Sequence, residues 1–226
     1  MRYLSLGKTG LLVSEVGFGA IPIIRLATDA AVAVLRRALE RGVNLYDTAH
    51  VYMNSEEKIG RALAGRRQHV ILASKTMKRD RQGAREDLEL SLRRLGTDYL
   101  DLYQLHQVSQ EADWQTLSGP GGALETMVRA REAGQVRHLG VTSHNLEMAV
   151  KLVATGVFST IQFPFNFVEE AAADKLHPPA REHGPGHHGH EAFLRRSGGQ
   201  CPAGLWLSAA VSGGHPPGRL GCRGPG

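Results

Sequence analysis

Cysteine is nearly missing from this sequence. The 226 residues hold only Cys201 and Cys222, both near the end, so no disulfide framework is implied. No apolar run reaches the ~20 residues of a membrane span, and the N-terminus lacks the charged-then-apolar pattern of a leader. A soluble cytoplasmic chain with no membrane partner is therefore expected. There is no basic stripe with interleaved aromatics, and the formal charge is a modest +5, so nucleic acid is not an expected partner. No G-x-G-x-x-G opens a helix after the first strand, which counts against a Rossmann domain. What remains is an apolar content of 42%, enough for one large domain or two small ones.

The stretch Tyr46-Asp47-Thr48-Ala49-His50-Val51-Tyr52 and on to Gly60 stands out. It reads as a strand from Val43 to Tyr46, a loop carrying Asp47 and Tyr52, and a helix with Ser55 at the N-cap and acids in its first turn. An acid and a phenol on the loop after a strand are half of a proton-transfer site.

Around it runs a regular rhythm. Residues 3–13 read as a hairpin. Val16-Gly17-Phe18-Gly19 reads as a buried strand whose glycines admit a close approach to the backbone. Asp29 is placed as the cap of a helix with a stripe at Ala31, Val34, Leu35, Ala38 and Leu39. Strands are expected at Val70–Ala73, Tyr99–Leu105, Arg137–Thr142 and Thr160–Phe163. Helices are expected through Ile59 and Leu63, through Leu88, Leu92 and Leu95, and through Leu124, Met127 and Val128, with Trp114 in a long loop. Asn145 is placed as the cap of the next helix, and Ala171 to Glu182 reads as a sixth.

Strands alternating with helices imply parallel pairing and right-handed crossovers. The choice is an open doubly wound sheet or a closed (β/α)8 TIM barrel. Polar groups follow several different strands: Asp47, Lys75, His106, Ser143 and Gln162. A barrel gathers such positions on one face, so an incomplete barrel of about six βα units is favoured.

The rhythm fails near residue 177. Twelve of the 27 glycines lie from Gly184 onward, and no Tyr follows Tyr103. Residues 183–226 read as a Gly/Pro/His-rich, disordered tail in which only Glu191–Arg196 and Leu205–Val211 have the composition to pack. Without more units, edge strands would stay open. His183, His187, His188 and His190 lack a scaffold for a preformed metal site, and no metal is expected.

Asp47, Tyr52, Lys75 and His106 make chemical sense together. A phenol with pKa ~10 is a sluggish acid near neutrality. A nearby ammonium stabilises the phenolate, and a shift of about 3 units corresponds to ~4 kcal/mol. A carboxylate would hold that ammonium, and a histidine can orient a carbonyl oxygen. Each residue also has a structural reading: Asp47 a helix-entry cap, Tyr52 a loop aromatic, Lys75 a solvated strand end, His106 a core histidine. Their joint placement at strand ends favours chemistry.

These residues carry a resemblance. Leu6-Gly7-Lys8-Thr9-Gly10-Leu11, Asp47-Thr48-Ala49 with Tyr52, Ser55-Glu56-Glu57-Lys58-Ile59-Gly60, Ser74-Lys75, Asp98 to His106 and Gly140-Val141-Thr142-Ser143 resemble the aldo-keto reductase superfamily, over Arg2 to about Glu182. The resemblance implies a TIM barrel that binds NADPH (or NADH) and reduces a small-molecule aldehyde or ketone. Tyr52 would be the general acid, Lys75 and Asp47 its pKa-lowering partners, and His106 the substrate-positioning residue. Gly19, Asp47, Thr142, Ser143 and Gln162 would face the cofactor. Ser143 stands where the family has Asn.

The family's seventh and eighth strands and its basic cluster for the adenosine 2′-phosphate have no counterpart after residue 182, which predicts impaired activity. His190-Glu191-Ala192-Phe193 can be encoded so that the next frame begins Met-Lys-Pro, as the family has at its seventh strand end. A reading-frame change near residues 183–186 would account for this. The rivals are a non-catalytic barrel fragment that binds a partner through its open edge, and a phosphate-binding barrel of other chemistry.

Overall fold

The computed structural model describes residues 1–6, 9–164, 175–176, 191–195 and 205–207. An antiparallel hairpin, β1 (Tyr3–Ser5) with β2 (Leu12–Ser14), comes first. It packs Leu6 and Val13 on Leu45 and Ile71.

Six parallel strands follow: β3 (Val16–Gly19), β4 (Leu45–Asp47), β5 (Ile71–Thr76), β6 (Leu100–Leu105), β7 (Val136–Thr142) and β8 (Thr160–Pro164). The helices between them are α1 (Thr28–Glu40), α2 (Ser55–Leu63), α3 (Arg81–Leu95), α4 (Glu111–Ser118), α5 (Ala123–Glu132) and α6 (Leu146–Ala154). The β4, β5 and β6 strands are buried at every position, as strands covered on both faces must be.

The six expected strands are present, with the helices of the first five expected units, and two tail segments close the ring. β9 (Glu191–Arg195) runs parallel to β8, and β10 (Leu205–Leu207) pairs antiparallel with both β9 and β3. The sheet is thus a closed eight-stranded barrel, and the expected open edges on β3 and β8 are paired. Closure satisfies the backbone groups that a free edge would present. Most of the tail and most of the sixth helix expected at Ala171–Glu182 lie outside the described residues, though Leu176 is buried in the core.

Several local expectations are revised. Asp29 is not a cap: α1 begins at Thr28 after Ala27, and Asp29 sits in its first turn, paired with Arg61 at 3.2 Å. Ser55 is not the N-cap of α2 either. Asn54 holds that place, without a capping bond. The buried Ser55 hydroxyl instead lies 2.8 Å from Thr48 Oγ1 and donates to the Ala20 carbonyl. Trp114 lies in helix α4 rather than in a loop, edge-on to Phe158.

Asn145 does cap α6, accepting from the Met148 amide. Gly96 ends α3 in the left-handed region at φ 64°, where a Cβ is disfavoured. Gly60 has a different reason: a Cβ there would lie 2.4 Å from the Arg94 carbonyl oxygen, so its absence lets α2 and α3 approach.

Candidate active site

The C-terminal ends of β4, β5 and β6 bring together four of the expected residues. Asp47 ends β4 and Lys75 is the penultimate residue of β5. Both are almost fully buried, at 1% exposure each. Lys75 Nζ donates to Asp47 Oδ2 at 2.6 Å and to the Thr48 carbonyl at 2.6 Å. A buried charge is tolerated only when it is paired and hydrogen-bonded, and these contacts meet that condition. Asp47 is therefore no helix cap and Lys75 no solvated strand end.

Tyr52 is half-buried on the loop between β4 and α2. Lys75 Nζ lies 5.5 Å from the centroid of its ring. His106, immediately after β6, meets the ring edge-on at 5.8 Å between centroids. Burial, with the positive charges of Lys75, His144 and Arg79 adding to it, pushes the His106 pKa down to about 3. The ring is therefore neutral at neutral pH, with one nitrogen a donor and the other an acceptor. Its Nδ1 is buried and has no hydrogen-bond partner among the described residues.

The loops here are held in uncommon conformations. Met53 (φ 46°) and Gln107 (φ 56°) are the non-glycine residues with positive φ among those described. Each is next to a candidate catalytic side chain, and such backbone collects where surrounding structure over-determines it. Gln107 is pinned by its amide donating to Thr142 Oγ1 at 2.8 Å.

The expected cofactor residues fall into two groups. Gln162 on β8 accepts from Gln104 Nε2 at 3.4 Å, and the same nitrogen reaches Asp47 Oδ1 at 3.3 Å. Gly19 is the register partner of Asp47 across β3 and β4. These belong to the ring around the Asp47–Lys75 pair. Thr142 and Ser143 instead brace loops: Thr142 holds Gln107, and the Ser143 hydroxyl exchanges contacts at 3.1 Å with the backbone of Asn145.

The sequence reading assigned no role to Gln104. Its Oε1 is buried without a partner among the described residues. Lys75, Gln104, Gly140 and Thr160 are successive register partners across β5 to β8. A Cβ on Gly140 would lie 2.5 Å from Thr160 Oγ1 and 3.0 Å from Gln104 Cγ, so the glycine makes room for the glutamine. The signal was available, since Gln104 lies two residues before His106 and shares its face of the strand.

Two other members of the expected motif are also structural. Lys58 is buried and donates to the carbonyls of Ile23, Ile24 and Leu26. Glu56 is buried, accepts from the Ser74 hydroxyl at 2.7 Å and pairs with Arg94. They fasten α2 to the turn after β3 and to β5, behind the site. No group of three or more metal-ligating side chains exists among the described residues. The histidines of 183–190 lie outside them. No helix among the described residues is long and apolar enough to cross a membrane.

Comparison with known proteins agrees with this geometry. Residues 15–192 match the aldo/keto reductase family. The chain is 34% identical over 202 residues to the aldo-keto reductase YhdN of Bacillus subtilis, covering 80% of this chain and 59% of the relative. It is 39% identical over 122 residues to the methylglyoxal reductase YeaE of Escherichia coli, covering 52% and 40%. Among solved structures, the holo form of aldo-keto reductase AKR11C1 from Bacillus halodurans superimposes with a TM-score of 0.73 at 28% identity, covering 86% of this chain and 65% of that one. An aldo-keto reductase from Klebsiella pneumoniae in complex with NADPH gives 0.71 at 25% identity, covering 85% and 66%. The chain spans 59% of the length of YhdN and 62% and 64% of two other curated Bacillus subtilis relatives. It belongs to the aldo/keto reductase family.

Proposed function

We propose that this chain reduces aldehyde or ketone carbonyls with a nicotinamide cofactor, NADPH before NADH, at the mouth of the barrel. The observation that carries the reading is the buried Lys75–Asp47 pair beside the Tyr52 ring, with a neutral His106 edge-on to it. The NADPH-bound Klebsiella structure and the methylglyoxal reductase add support from outside the chain. The residues present suit a nicotinamide: Gln162 and the Oε1 of Gln104, which is buried without a partner among the described residues, offer polar groups suited to a carboxamide.

When bound, the cofactor supplies a hydride to the carbonyl carbon. Tyr52 delivers the phenolic proton to the carbonyl oxygen, so the product is an alcohol and the residue left behind is a phenolate. The Lys75 ammonium stabilises that phenolate, and Asp47 fixes the ammonium against the barrel wall. His106, being neutral, orients the carbonyl oxygen without competing for a proton. Residues 1–182 carry all of these groups. The rival reading, a binding fragment with an open edge, is less favoured because tail strands pair both β3 and β8.

The test is carbonyl reduction by the purified chain, with methylglyoxal as probe and NADPH oxidation as readout. NADH run in parallel decides the cofactor preference. Tyr52→Phe is expected to lower kcat by about 10²–10⁴-fold while leaving NADPH affinity unchanged. Folded protein that binds neither nicotinamide would sink the proposal.

A further inference from the structure

The loop that carries Tyr52 is held from outside the ring by a carboxylate that the proposed chemistry does not use. Asp87 lies on α3 and is 5% exposed. Its Oδ2 accepts from the Thr76 hydroxyl at 2.6 Å, and its Oδ1 lies 3.2 Å from His50 Nε2. Thr76 directly follows Lys75, and the His50 amide donates to the Lys75 carbonyl at 3.0 Å. One carboxylate thus touches both the loop of the general acid and the strand end of its ammonium partner.

A core role alone does not explain this aspartate. The buried positions of α3 include Ala84, Leu88, Leu92 and Leu95, and an ionised carboxylate among them is costly unless it is paired. His50 Nδ1 is buried without a partner, so the described polar contact of the His50 ring is the one to Asp87. The loop also needs bracing, because Met53 at φ 46° occupies a region unfavourable for an L-residue. Other groups face the same spot: burial first and the Asp87 charge next push the Tyr103 pKa well above its usual range, against the Thr76 side chain, which lowers it, and the Glu56 charge adds to the rise. Glu56 is in turn paired with Arg94.

We infer that Asp87 is a positioning residue, which through His50 and Thr76 fixes the spacing between the Tyr52 loop and the Lys75 strand end. The inference rests on the reading of Tyr52 and Lys75 as the proton-delivering pair.

The variants are Asp87→Ala, His50→Ala, their combination and the conservative Asp87→Asn. Hydrogen–deuterium exchange of residues 48–54 needs no activity to be read. It should speed up by about tenfold or more in both single variants, with little further gain in the double. In an enzyme that Tyr52→Phe inactivates, kcat should fall about 10–100-fold in the same variants, since small misplacements of reacting groups have that size of effect. KM should stay near the wild-type value, and Asp87→Asn should recover much of kcat.

Unchanged loop exchange in folded Asp87→Ala overturns the inference, as does faster exchange with wild-type kcat. Where Asp87→Ala does not fold, His50→Ala carries the same test. An active Tyr52→Phe defeats the proton-delivery reading instead, and loop exchange then decides alone whether the brace exists.

Discussion

The barrel has a buried carboxylate near each end, and the two are treated differently. At the N-terminal end, Asp101 is saturated. Its Oδ2 takes Arg67 Nη2 at 2.7 Å and the Leu72 amide at 2.9 Å, and its Oδ1 takes Arg137 Nη1 at 3.0 Å. The two guanidiniums lie 3.8 and 4.3 Å from the ring centroid of Tyr99. At the C-terminal end, Asp47 holds one ammonium, and the groups around it keep unused capacity. Gln104 Oε1 and His106 Nδ1 lack partners among the described residues. The Asp101 carboxylate has both oxygens taken by cations or an amide, whereas polar atoms beside Asp47 stay without partners among the described residues, as in a site that receives a ligand. This distinction matters here because both clusters fall inside motifs that resemble the same family.

The comparison can be broken most sharply by exchanging the damage. Tyr52→Phe should remove about 10²–10⁴-fold of kcat with a melting temperature close to wild type. Asp101→Ala should do the reverse. It removes one partner of Arg67, which keeps its bonds to Thr97, Val70 and Tyr99, and the partner of the half-exposed Arg137, and should cost about 1–3 kcal/mol of unfolding free energy in urea titrations, while whatever protein remains folded keeps its kcat. A large kcat loss in folded Asp101→Ala would mean that the two ends are not independent.

A finer test is Tyr99→Leu, which keeps the ion pairs but removes the ring between the guanidiniums. About 1–2 kcal/mol of stability should go, with no change in cofactor binding. The last effect concerns pH and vanishes at neutrality. His106 has its pKa depressed from 6.5 to about 3 in the fold, so the unfolded chain binds a proton there that the folded chain does not. Its contribution is fully present above about pH 6.5 and is lost as pH falls toward 3. Melting temperature should therefore decline less steeply across that window in His106→Asn than in wild type.

Much of the fold could be read from the chain. Leu88, Leu92 and Leu95 followed by Gly96 announce α3, and short apolar runs ending in Asp47, Lys75 and His106 announce parallel strands with polar tips. Both follow from local periodicity and from termination by glycine. The capping assignments at Asp29 and Ser55 missed, because a short polar residue before a helix is equally able to bond across the fold. Ser55 does so with Thr48 and Ala20. Lys58 is buried, because three carbonyls of a turn more than thirty residues earlier receive it.

By itself, then, the sequence determined the alternation of strands and helices, the family and the identity of the four polar groups at the barrel mouth. These depend on residue type and on spacing within single elements. Only the tertiary structure decided that tail residues 191–195 and 205–207 close the ring, that Gln104 sits beside Asp47, and that Asp87 and His50 meet behind the Tyr52 loop. Each of those joins residues far apart in the chain. Such contacts are set by strand register and by how α3 seats on β5, which no local pattern encodes.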